Sequence, residues 1–128
     1  MEKIKIHLEY MLRSGSAEVI WNMIGTMSGL EQWFADKITV SDKLYTFQWG
    51  KDERRTAKLI NIRSYNFIRF HWTDDEESRT YFELRMDEDE LTGDCILSVT
   101  DFIEPEEEAD IKKLWDFQVN TLKREAGL

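Results

Sequence analysis

Residues 104–128 read EPEEEADIKKLWDFQVNTLKREAGL. They decide the fold, because the rest of the chain is mostly strand-like and this is its one long helical pattern. Ile111, Leu114, Trp115, Gln118, Val119 and Leu122 recur at helical spacing and make one stripe, with Phe117 at its edge. Pro105 suits a first-turn position. The acids Glu106, Glu107, Glu108 and Asp110 favour the positive start of a helix, and Lys123 and Arg124 favour its end. The spacing predicts a helix over about 106–126. A stripe this apolar needs a surface to cover.

That surface lies upstream. From 36 to 104 the sequence is a succession of short alternating segments. Tyr45, Phe47 and Trp49 fall on one face of the first long one, after Ile38 and Val40. Ile68, Phe70 and Trp72 share a face, with Arg69 and His71 opposite. Phe82, Leu84 and Met86 share a face, with Tyr81, Glu83 and Arg85 opposite. Cys95, Leu97 and Val99 share a face that also takes Asp101. In RRTAKLINIRS the apolar parity switches between Leu59 and Ile60, which predicts a bulge. Short acidic turns, Asp74 to Glu77 and Asp87 to Glu90, join neighbours and imply antiparallel pairing. Glu83 and Arg85 are placed to pair with Arg69 in a solvated charge ladder on the outer face.

The N-terminal segment alternates as well: Ile4, Ile6, Leu8, Tyr10 and Leu12 against Lys3, Lys5, His7 and Glu9. Two short helices follow, over 17–25 and 28–34, with Ser14 or Ser16 as the first N-cap. Gly25 and Gly29 are expected to let the chain bend between them, and Trp33-Phe34 ends the second. The 128 residues make one domain, 1–128, of α+β class. About seven antiparallel strands curve around a long C-terminal helix.

Net charge −9 opposes binding to phosphate backbones or anionic lipid, so no nucleic-acid partner is expected. No apolar run approaches membrane-spanning length, so no stable membrane insertion is expected. The single cysteine, Cys95, fits a reducing compartment and a cytoplasmic location. His7 and His71 have no partner at metal-ligand spacing, so neither a metal nor another cofactor is expected. The acidic runs lack the order of a calcium loop.

The order of strand, two short helices, six strands and a long helix resembles the helix-grip fold of the START-like superfamily, also called Bet v 1-like or SRPBCC. SAEVIWNMIGTMSGLEQWFAD (16–36) and LWDFQVNTLKRE (114–125) carry the resemblance. It is nearest to bacterial START-like proteins and homologues of the activator of the heat-shock chaperone ATPase. The resemblance implies a sheet that grips the C-terminal helix, with a cavity between them. The Gly-rich loop of some plant members has no counterpart here, and neither does the chaperone-binding domain of the full co-chaperone. A complete co-chaperone activity is therefore not expected.

The cavity would be lined by Trp33 and Phe34 at its entrance, by Tyr45, Phe47 and Trp49, and by Phe70 and Trp72. Phe82, Leu84 and Met86 continue the sheet wall, and Trp115, Gln118 and Leu122 form the helix wall. The same bulky residues equally serve to fill a core. Gln118 is the first candidate anchor, or bonds to backbone or water instead. Asp101 is the one carboxylate whose parity points inward. His71 and His7 fall on outward faces, so no catalytic residue is assigned. The expected function is non-catalytic binding of a hydrophobic or amphipathic, lipid-like small molecule. The alternative is a protein-interaction module of the chaperone-activator kind with a filled core, using Trp21 and Phe117 as exposed contacts. A cyclase-like enzyme stands third.

Overall fold

The computed structural model describes residues 2–13 and 16–128. Strand β1 (Ile4–Leu12) leads into helices α1 (Ala17–Gly25) and α2 (Met27–Trp33). Strands β2 (Lys37–Ser41), β3 (Leu44–Trp49), β4 (Glu53–Arg63), β5 (Phe67–Trp72), β6 (Phe82–Glu88) and β7 (Cys95–Ile103) follow. A 3-10 turn, Pro105–Glu107, starts the last helix, α3 (Glu108–Glu125). The sheet is antiparallel, in the order β1-β7-β6-β5-β4-β3-β2. The helix-grip expectation therefore holds: one curved seven-stranded sheet, a long C-terminal helix and two short helices after the first strand.

The parity switch in β4 is a bulge. Leu59 faces Phe70 and Asn61 faces Arg69, so Ile60 is the extra residue, and it is exposed. The apolar parity of β5, β6 and β7 faces a core closed by all three helices, with Phe47, Ile68, Phe70, Leu84, Val99 and Leu122 sealed from solvent. Val40, expected inward, is exposed, on a strand that forms one edge of the sheet.

Ser16 caps α1, accepting from the Val19 amide at 3.1 Å; Ser14, the other candidate, lies outside the described residues. The break between α1 and α2 belongs to Thr26. Its backbone is extended (φ −122°, ψ 153°), and it is both C-cap of α1 and N-cap of α2. Its hydroxyl donates to Asn22 O at 2.7 Å, and its Oγ1 accepts from Gly29 N at 3.0 Å. The expectation that Gly25 and Gly29 supply the bend is corrected: neither has positive φ, and what they supply is missing bulk. A Cβ on Gly25 would run into the Trp21 indole, and one on Gly29 into the backbone of Asn22 and Met23. Trp21 is thereby laid flat over Gly25 and buried, so it is no exposed contact.

The outer-face ladder is also corrected. Glu83 is only 6 % exposed and sits between Arg69 (2.7 Å) and Arg85 (3.1 Å). Arg69 lies 4.2 Å from the Tyr81 ring and Arg85 4.4 Å from that of Phe67, so aromatic rings and guanidiniums roof the carboxylate together. Glu83→Ala would leave two arginines without their shared anion at a largely desolvated place. A loss of roughly 3 kcal/mol is expected in chemical denaturation, and Glu83→Gln should recover only part of it.

Candidate functional site

Trp33 and Phe34 stand where α2 ends, and the two side chains do different things. The Trp33 indole donates to Met23 O at 2.7 Å and ties α2 to α1. Phe34 turns into the concavity of the sheet. Its ring centroid lies 5.2 Å from Phe47, 5.6 Å from Phe82, 5.8 Å from Trp115 and 5.9 Å from Trp49. One carbonyl, Phe34 O, accepts from both the Trp49 indole (2.7 Å) and the Gln118 amide (3.1 Å). The end of α2 is thus bolted to β3 and α3 at a single point.

Phe34 fills the middle of the space under α3. A cleft of about 580 Å³ remains outside it, within the roughly 300–1,000 Å³ usual for small-molecule sites. Trp33, Phe34, Trp49, Trp72, Phe82, Trp115 and Gln118 border it. The remaining expected site residues, Tyr45, Phe47, Phe70, Leu84, Met86 and Leu122, pack in the core behind it. The outer wall is the exposed flank of α3. Leu114, expected on the buried stripe, is 51 % exposed there, and Phe117 is 69 % exposed. Both follow from the tilt of the buried stripe toward Trp115, Gln118, Val119 and Leu122.

Charged residues at the cleft are Glu31, Asp36, Glu53, Arg55, Asp101 and Arg124. Only Asp101 was singled out by strand parity. Glu53 and Arg55 carried the same signal: Arg55 pairs with Phe47 and Glu53 with Trp49 across β3 and β4, so they share the inward face. Arg55 stands 4.1 Å from the Trp72 ring and donates twice to Asp74, at 2.8 Å each. Asp36 and Glu31 accept backbone amides of Gly50 (2.6 Å) and Ile38 (2.8 Å).

Asp101 is largely buried. It accepts from Trp115 Nε1 at 3.0 Å and from the Phe102 amide at 2.8 Å. Burial pushes its pKa up to about 6, against the opposing pull of those two donors and of Arg55 and Lys3. A carboxyl whose folded pKa exceeds its unfolded value near 3.8 stabilises fully below that value and loses this as pH rises through about 6. Asp101→Asn removes the dependence. Between pH 4 and pH 7 the stability difference should move toward the variant by on the order of 2 kcal/mol, allowing for residual solvent. Urea titrations at four pH values read it, and parallel profiles for the two proteins would contradict it.

His71 Nδ1 lies 2.8 Å from Thr80 O, and His7 Nδ1 lies 3.3 Å from Thr100 Oγ1; neither borders the cleft. Cys95 is buried, and burial pushes its thiol pKa up.

A family model described as START-like superfamily domain matches residues 1–127. The solution NMR structure of BfR322 from Bacteroides fragilis is 54 % identical over all of this chain and 94 % of that one, with a TM-score of 0.67. An uncharacterised protein from Bacillus thuringiensis is 12 % identical, covers 96 % of this chain and 98 % of its own, and gives 0.78. The Aha1 dimer from Colwellia psychrerythraea is 16 % identical, with 94 % and 93 % covered, at 0.76. At these last two identities the likeness is one of fold. No curated protein sequence matches the chain.

Proposed function

The chain belongs to the START-like superfamily, and we propose that it binds a hydrophobic or amphipathic small molecule, without chemistry, in the cleft between sheet and α3. The observation that carries this is the aromatic lining left open outside Phe34: four indoles and the exposed Phe117 around about 580 Å³. Apolar burial supplies affinity at roughly 25 cal/mol per Å². Asp101, the most buried acid at the cleft, meets an indole and a backbone amide and, among the described residues, no second titratable side chain at bonding distance, which favours binding over acid–base catalysis. Cys95 as a free thiol supports a reducing compartment, the cytoplasm. Among the described residues no helix is long and apolar enough to cross a membrane.

Nile red, a neutral apolar dye, should gain emission with the protein, and dodecanol should displace it. Phe117→Ser should weaken dye binding several-fold with little change in melting temperature, because that ring lies outside the core. Absence of any dye or alcohol response, in emission and in thermal shift, would sink the binding reading. The second reading would then take its place: Leu114 and Phe117 together form an exposed apolar patch on α3, suited to a protein partner as in the chaperone-activator kind.

A further inference from the structure

The cleft presents hydrogen-bond acceptors and aromatic faces, while most of its inner indole donors already hold internal bonds. Three of its four indole N–H groups are committed internally: Trp33 to Met23 O, Trp49 to Phe34 O and Trp115 to Asp101. One N–H of the Gln118 amide is committed to Phe34 O. The Arg55 guanidinium is bidentate on Asp74. Carboxylates outnumber guanidiniums at the cleft four to two, and one of those two guanidiniums is the neutralised Arg55. A carboxylate oxygen has lone pairs to spare after one bond, so Asp101 and Glu53 remain acceptors. A ligand carboxylate or phosphate would find few donors here and several like charges.

We propose that the cleft selects organic cations, an apolar chain ending in a protonated amine or quaternary ammonium, over fatty anions and neutral alcohols. The inference rests on the small-molecule reading above and names its ligand class. Indole faces attract a cation through the ring quadrupole, most strongly where water is excluded. Trp72 shows that attraction already with Arg55 at 4.1 Å. The carboxylates of Asp101 and Glu53 add negative charge to the lining of the same cleft. The overall charge of −9 steers a cation inward.

The test compares three probes that share a twelve-carbon chain, below their micelle concentrations: dodecyltrimethylammonium, dodecanol and dodecanoate, followed by calorimetry at pH 7.5. The ammonium probe is expected to bind at least about tenfold more tightly than either other. Glu53→Gln should weaken the ammonium probe several-fold and leave dodecanol unchanged. Glu90→Gln removes the same charge from the β6–β7 turn, away from the cleft, and should change neither. Dodecanoate binding as tightly as the ammonium probe overturns the cation assignment and leaves the small-molecule reading standing. Equal losses in Glu53→Gln and Glu90→Gln also overturn it, as bulk charge alone. If none of the three probes binds, both readings fall.

Discussion

Gly29→Ala is expected to lower stability by at least about 3 kcal/mol, with a fall in melting temperature on the order of 10 °C. The new methyl would lie 2.6 Å from the Asn22 carbonyl carbon and 2.8 Å from Met23 Cα, and nearer still to Asn22 O. All three are backbone atoms, so no rotamer change relieves the overlap. The helices α1 and α2 must part instead, and the Thr26 hydroxyl, which bonds to Asn22 O and Gly29 N, loses its geometry as they do. Trp33, tied to Met23 O, moves with them. Gly25→Ala is the comparison: its new methyl meets a side chain, the Trp21 indole, which can yield, so a smaller loss is expected. Equal melting temperatures for Gly29→Ala and the parent would show that the two backbones do not cross so closely.

The second large effect is at Phe34. Truncation to alanine removes a ring with aromatic neighbours on several sides and leaves a hole that the sheet cannot collapse into. The cost is about 3–5 kcal/mol, measured by urea denaturation. Unlike an ordinary core truncation, this one joins the hole to the cleft. The variant should therefore take bulkier apolar probes than the parent, and part of its lost stability should return when they bind. A Phe34→Ala protein within 1 kcal/mol of the parent would mean that the ring is not the plug of the concavity.

The fold was legible because its signals repeat. Period-two alternation runs through β1, β3, β5, β6 and β7, and the stripe of α3 is long enough to average out local noise. The bulge at Ile60 was readable from one parity switch. The site was harder, since parity tells which face a side chain joins and says nothing of how deep it sits. Phe34 and Phe47 look alike in sequence, yet Phe34 borders the cleft and Phe47 lies behind it. Gly29 was misread as a flexible point because its contact is with residues on the preceding helix, and the Thr26 cap already accounts for the bend. Glu83 looked solvated because its cover is completed from β5, by the Arg69 guanidinium and the Phe67 ring that Arg85 lies against.

The pairing of β1 with β7 joins two strands far apart in the sequence, with Ile4 opposite Ile103 and Leu12 opposite Cys95. During synthesis β1 emerges before β7, its one sheet neighbour among the described residues, which follows more than eighty residues later. At ribosomal speed that is a wait of roughly 5–20 s. For that interval an amphipathic strand stands unpaired and able to bind another nascent chain. Lys5, His7 and Glu9 alternate with its apolar residues and stay exposed in the finished sheet. Polar and charged side chains at every second residue are what discourage edge pairing between copies. The polar face of β1 thus protects the protein before it has a fold, as well as solvating it afterwards.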